Sequence, residues 1–271
     1  MSDWILLRGL TRESRHWDHF ETSMRAHGLL ADDEHVVFID LPGNGAEHEL
    51  VTPATVEAMT AFVRDRVAEL NVSKPCRVLA MSLGAMVACA WIQHVTEEIE
   101  RLVLINTSMR PFAGVHERLR PSAWPMLARI ARAWTQPEPC EQMIHTLTCN
   151  RTDTFDADVA QWAAWRRQRG ASARNALRQL YAAARFRAIK FPPFHPTLLL
   201  SSAQDKLVDS ACSTRIAKQW GVEHAVHPWA GHDLPHDDAD WTCATIAAWL
   251  HDVAAQTDSD FNASADSPQR A

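Results

Sequence analysis

The stretch Arg77-Val78-Leu79-Ala80-Met81-Ser82-Leu83-Gly84-Ala85-Met86-Val87-Ala88 leaves this chain little choice of architecture. Val78–Met81 is an apolar run of strand length. Small residues at helical spacing, Gly84, Ala85 and Ala88, begin directly after Ser82 with no loop between. A strand that becomes a helix across one residue needs a very sharp turn. Ala80 and Gly84, two before and two after the serine, are small enough for the two backbones to pass that closely. Such a turn lifts a serine hydroxyl above the carboxyl edge of a sheet, where a nucleophile would stand. The usual spacing is Gly-x-Ser-x-Gly, and alanine takes the first place here. A serine that only caps the following helix is the plain alternative.

Around this turn the chain alternates. Asp3–Gly9 reads as a buried strand, Thr11–Gly28 as a helix with Trp17 and Phe20 on one face, and Glu34–Asp40 as a second strand closed by the turn-rich Leu41-Pro42-Gly43-Asn44-Gly45. Thr55–Leu70 has a helical period, the Ser82 strand and its helix to His94 follow, and Arg101–Asn106 is a fourth strand. Buried apolar strands alternating with helices make a parallel sheet covered on both faces. From residue 108 to 191 only helical patterns occur, among them Ser122–Trp134, Asp156–Arg169 and Ala171–Arg187, with early prolines dividing them. Strands resume at Pro196–Ser202 and Val222–His227, separated by a helix over Asp209–Trp220, and Trp241–Val253 closes the pattern. The expected organisation is therefore an α/β core over 1–107 and 192–255 with about six strands. A helical insertion over 108–191 lies on the sheet, and a polar, disordered tail covers 256–271.

Composition removes several classes. A chain of 271 residues with 46% hydrophobic content can bury a real core. No run of about 18 apolar residues is present, so no membrane-spanning helix is expected, and the first residues lack a signal-peptide pattern. The six cysteines show neither a CxxC pair nor a zinc-like His spacing. Buried free thiols in a reducing cytoplasm, with no disulfide and no metal, are the expectation. Eleven Trp against one Tyr mean either large core contacts or an aromatic-lined pocket. The net charge of −6 is unevenly spread: Arg110–Lys190 holds fourteen Lys and Arg against six Asp and Glu. A basic insertion beside a cleft would attract an acidic partner or substrate, with Arg166, Arg167, Arg169, Arg174 and Arg178 as the docking residues. A solvated arginine-rich helical face is the plain alternative. Nucleic acid fits poorly with the acidic remainder and the lack of a binding motif.

A serine hydroxyl needs a base to take its proton, and the base needs an acid to orient it. On a doubly wound sheet these belong in loops at the carboxyl ends of later strands. The loop after the fifth strand offers Asp205 and the loop after the sixth offers His232, giving the order Ser82, Asp205, His232. His224, His227 and His236 are rival bases, but only His232 follows a glycine just past the last strand. Asp209 reads as a helix N-cap, Asp233 adjoins the base too closely to orient it, and Asp40 reads as a loop brace.

Leu7-Arg8-Gly9 with Trp17, Asp40–Gly45, Ala80–Gly84, Asp205 and Gly231-His232 together resemble the α/β-hydrolase fold, of the serine carboxylesterase type with a helical lid. The likeness spans residues 4 to 252. In size and lid it is similar to the esterases that demethylate pimeloyl-carrier-protein methyl ester, and to small carboxylesterases and thioesterases. The resemblance implies an oxyanion hole made by the backbone N–H groups of Leu10 and Leu83, and an acyl-enzyme cycle with no cofactor. The implied substrate is a small-molecule or acyl ester, with an acidic acyl carrier protein as the candidate partner; a thioesterase, a carbon–carbon hydrolase or lyase on the same fold, or a non-catalytic binding protein are the alternative readings. Arg8 stands where the family commonly has histidine, and reads either as a loop-bracing ion pair or as a contact for an acidic substrate group. The leading antiparallel hairpin of the fold is expected to be missing.

Overall fold

Six short apolar runs become the strands of one sheet in the computed structural model, which describes residues 2–265, with side chains to residue 256. They are β1 (Trp4–Leu7), β2 (Val36–Ile39), β3 (Cys76–Met81), β4 (Ile99–Ile105), β5 (Thr197–Ser202) and β6 (Glu223–His227). Their order in the sheet is β2-β1-β3-β4-β5-β6, with every neighbouring pair parallel. The central strands are largely apolar because side chains on both faces are buried, whereas the edge strand β6 is Glu-His-Ala-Val-His with Glu223 and Val226 exposed. Ile5, Leu7, Val78, Ala80, Leu102 and Leu104 enter one core, and their alternates Trp4, Leu6, Leu79, Met81, Val103 and Ile105 enter the other.

The helices are α1 (Phe20–Ala26), α2 (Val56–Glu69), α3 (Leu83–His94), α4 (Val115–Arg118), α5 (Trp124–Arg132), α6 (Pro137–Thr148), α7 (Phe155–Arg169), α8 (Ala173–Arg185), α9 (Ala211–Trp220), α10 (Leu234–Asp237) and α11 (Ala239–Ala265). Leu83 to Ile92 of α3 are all buried, so this helix is apolar all round and sits centrally on the sheet. Helices α4–α8 form the insertion between β4 and β5 and carry a small apolar cluster of their own, including Ile130, Cys140, Ile144 and Leu147. Among the described residues no helix is long and apolar enough to cross a membrane.

Two local expectations are corrected. Thr11–Gly28 is not one helix: a 3-10 turn at Ser14–Trp17 ends where Asp18 takes a φ of 45°, and α1 starts at Phe20. The prolines divide the insertion as expected, and Pro137 does so by opening α6, where its missing N–H costs nothing. Helix α11 continues to Ala265, past the Gln256 boundary at which the polar tail was expected, and residues 266–271 lie outside the described residues.

Candidate active site

Ser82 stands alone between β3 and α3 with φ 54° and ψ −113°, a conformation that a non-glycine residue adopts only under strain. Its surroundings enforce the strain. Ser82 N donates to Ile105 O at 2.9 Å, and Thr107 Oγ1 donates to Ser82 O at 3.1 Å. A Cβ on Gly84 would lie 2.6 Å from the Arg8 carbonyl oxygen and 2.7 Å from that of Leu7, so only glycine lets α3 approach β1 this closely. The turn thus aims the hydroxyl at the carboxyl edge of the sheet, between the loops that follow β1, β5 and β6.

Asp205 and His232 arrive from two of those loops. His232 Nδ1 lies 2.7 Å from Asp205 Oδ2, and His232 Nε2 lies 3.0 Å from Ser82 Oγ. An ionised carboxylate can only accept, so Nδ1 carries the proton and Nε2 is left to accept from the serine. The other oxygen of Asp205 accepts from the amides of Leu207 at 2.7 Å and Val208 at 2.9 Å, which holds the carboxylate in place. Burial of His232 opposes its protonation, but the charge of Asp205 and their hydrogen bond, helped by Asp233, outweigh it and raise the imidazole pKa above 6.5. The arrangement can therefore accept a proton from Ser82 and stabilise the imidazolium that results.

Sequence reasoning missed the groups that hold these loops. Asn106, buried at the end of β4 with φ 45°, donates through Nδ2 to Ser202 Oγ, Gly231 O and His232 O, and its Oδ1 accepts from Ser202 N. It ties the Asp205 and His232 loops to one point; its place at the end of an apolar strand was the only available signal. Asp237 accepts from Gly231 N, Asn150 N and Arg151 N, and Asp233 N donates to Thr148 O. The Leu10 loop is held by Gln179, fully buried on α8. Gln179 Oε1 accepts from Thr11 N at 2.8 Å, and its Nε2 donates to Asn44 Oδ1 at 2.7 Å. Asn44 in turn donates to Arg12 O at 2.8 Å. Among the described residues neither Leu10 N–H nor Leu83 N–H has an acceptor, which leaves both amides free for a ligand oxygen.

Above Ser82 lies an apolar cavity of about 130 Å³, bordered by Leu10, Ser82, His232 and Asp233. Leu127 and Ile130 of α5, Trp134, Ile144 and Leu147 of α6, and Leu207 complete it, so the insertion roofs the site.

The remaining candidates fall into place as braces. Arg8 is buried and pairs with Asp233 across 225 positions, with its guanidinium stacked 4.8 Å from the Trp17 ring centroid. This pair takes up Oδ2 of Asp233, and among the readings of Arg8 it is the loop-bracing one. Asp40 accepts from Ser14 N and Ala46 N, and Asp209 accepts from Ala211 N, although the N-cap itself is Ser210. His224 contacts Ser201 Oγ, His227 contacts Asp238, and His236 contacts Asp158; none of the three reaches Ser82. Of the insertion's arginines, Arg166 is half-buried, pairs with Glu141 and stacks on Trp134, so its guanidinium is already engaged. Arg178 donates to Thr52 O, and Arg167 pairs with Glu138; Arg169 and Arg174 are exposed.

Comparison with known structures shows the same fold across a range of proteins. A thermophilic esterase from Thermogutta terrifontis is 21% identical, with 93% of this chain and 90% of that chain covered and a TM-score of 0.68. An esterase from Exiguobacterium antarcticum is 13% identical, with 93% and 92% covered and a TM-score of 0.71. The 2-hydroxy-6-oxo-6-phenylhexa-2,4-dienoate hydrolase from Rhodococcus sp. strain RHA1 is 17% identical, with 92% and 90% covered and a TM-score of 0.70. No curated protein matches the sequence. The family model for the Alpha/beta hydrolase family matches residues 4–245, nearly the whole core and insertion, and the chain belongs to that family.

Proposed function

We propose that this hydrolase cleaves a carboxylic ester through an acyl-enzyme on Ser82. The observation that carries the reading is the unbroken hydrogen-bond chain from Asp205 through His232 to Ser82 at the mouth of an apolar cavity. In this reading His232 takes the serine proton as Ser82 attacks the acyl carbon and returns it to the leaving alcohol. Asp205 holds the imidazole in the working tautomer. The Leu10 and Leu83 amides receive the oxyanion of the tetrahedral intermediate. Water then repeats the sequence to release the acid, with no cofactor.

Cavity size supports a short acyl or alkyl group. A volume of about 130 Å³ is close to the roughly 150 Å³ that holds one benzene in a buried apolar site. A thioester of the same acyl group is the second substrate class. Six free, buried cysteines suit a reducing compartment, and the cytoplasm is the proposed setting. The decisive experiment is labelling by a fluorophosphonate, with a p-nitrophenol burst from short-chain p-nitrophenyl esters. Both should occur in the native chain and vanish in Ser82→Ala. Labelling that persists in Ser82→Ala, or a native chain inert to every ester and thioester offered, would overturn the reading.

One observation favours an acyl group presented by an acidic carrier protein. The outer face of α8 exposes Leu177, Leu180 and Tyr181 next to exposed Arg174, an apolar strip edged by positive charge. Reversing Arg169 and Arg174 to Glu should lower activity on a carrier-protein ester at least tenfold and leave small esters unchanged. Equal effects on both substrates would remove the docking role.

A further inference from the structure

Away from Ser82, metal-ligating side chains converge at one other place among the described residues. His145 lies on α6, Cys149 follows its last turn, Asp158 lies on α7 and His236 on α10. The donor atoms of His145, Cys149 and His236 are all within 4.8 Å of one another. His145 Nε2 is 3.2 Å and His236 Nε2 is 3.0 Å from the same oxygen, Asp158 Oδ2, with the two rings at 86° to each other. We infer that these four side chains form a binding site for a divalent transition-metal ion of the zinc type.

Ligand spacing supports the inference. Zinc holds nitrogen and oxygen at about 2.0–2.1 Å and sulfur at about 2.3 Å in a tetrahedron, which puts adjacent ligand atoms about 3.3 Å (N and O) or about 3.6 Å (N and S) apart. The two imidazole–carboxylate spacings are within about 0.3 Å of that geometry, and the imidazole–thiol spacings, at most 4.8 Å, exceed it by at most about 1.2 Å. The donor set also matches the ion. Two imidazoles, a carboxylate and a thiol are ligands of zinc and its neighbours, whereas calcium and magnesium prefer oxygen alone.

Three groups share one oxygen at the centre of this cluster. Thr154 Oγ1 also donates to Asp158 Oδ2, at 2.6 Å, so three groups crowd one carboxylate oxygen while none is directed at Oδ1 among the described residues. A cation at the focus, in place of the two imidazole hydrogens, relieves that crowding. An entry path is present as well. Asp158 and His236 line an open groove of about 380 Å³ that also carries Asp18, Asp237, Asp238 and Asp240 beside a single Arg151, a net acidic surface that gathers cations. The ligands come from separate segments, His145-x-x-x-Cys149, Asp158 and His236, which is why their spacing in the sequence argued against a metal. A bound ion would join α6 and α7 to α10, which starts two residues after His232, and so clamp the insertion onto the loop of the general base.

The test needs no substrate. Chelator-treated protein titrated with Zn²⁺ should bind one ion per chain and melt several degrees higher. Co²⁺ should give visible bands of tetrahedral strength, together with a near-ultraviolet thiolate band that Cys149→Ser removes. His236→Asn should weaken Zn²⁺ binding at least a hundredfold, while its melting temperature in chelator stays near that of the native chain. Cys149→Ser, which leaves the imidazoles in place, serves as the second probe if the histidine variant folds poorly. Stoichiometry far below one, or Zn²⁺ affinity unmoved by both substitutions, would reduce the cluster to a hydrogen-bonded brace and overturn the inference.

Discussion

Gly84→Ala separates geometry from chemistry at the proposed oxyanion hole. The new Cβ would lie 2.6 Å from the Arg8 carbonyl oxygen, where an ordinary contact begins at 3.4 Å. Helix α3 and the end of β1 must therefore part by about 0.8 Å, a strain that overpacking data put at about 1–3 kcal/mol of stability. The movement falls between the two donors, because Leu83 rides on α3 and Leu10 lies two residues past Arg8. A donor must sit about 2.7–3.1 Å from the oxyanion, so an opening of that size takes one amide out of reach. Losing one such donor costs about 10²–10³ in kcat, or about 2.7–4 kcal/mol of transition-state stabilisation. The expected result is a kcat for a short p-nitrophenyl ester lowered about a hundredfold, with KM within a few-fold of native and a melting temperature lower by several degrees. Ser82 should still react with a fluorophosphonate, more slowly, since the nucleophile and base remain. A folded Gly84→Ala protein with kcat within threefold of native would refute the placement of the hole between Leu10 and Leu83.

Asp205→Asn removes the acceptor that fixes the His232 tautomer and should cut kcat about 10⁴-fold, as read from initial rates with circular dichroism unchanged. Because the His232 pKa is raised and only neutral imidazole can take the serine proton, kcat/KM should fall on the acid side with a midpoint above 6.5. A midpoint below 6.5 would contradict the Asp205–His232 coupling. Arg8→Ala strands the carboxylate of Asp233 in a buried site and should cost about 3–5 kcal/mol, measured by urea unfolding. Gln179→Ala leaves the Thr11 amide unsatisfied, should cost about 1–3 kcal/mol, and should lower kcat more than it changes KM.

What the sequence disclosed was whatever local chemistry encodes. The Ser82 turn is legible because strand, serine and small residues are contiguous. Asp205 and His232 are legible because a parallel sheet sends its strand ends to one rim, which narrows each to a single loop. Apolar runs likewise make β1 to β5 readable, and β6 is read from its place after the α9 helix. The failures share a cause, a partner far along the chain. Nothing near Arg8 announces Asp233, and nothing near Arg166 announces Glu141, so a buried brace and a surface arginine look the same in one dimension. The helix read over Thr11–Gly28 breaks at Asp18 for a backbone reason that apolar spacing does not carry. Asn106 was invisible because its four hydrogen bonds reach residues about a hundred positions away.

The reach of Gln179 back to Thr11 and Asn44 limits how this enzyme can be re-engineered. Helices over a cleft are often treated as exchangeable cassettes, swapped to change what the pocket admits. Here one of them holds the backbone that would receive the oxyanion, so a chimaera carrying a foreign insertion would inherit the serine and histidine but lose the support of Leu10. Any graft must bring an amide side chain to the position of Gln179, or turnover will fall even where the new pocket fits its substrate.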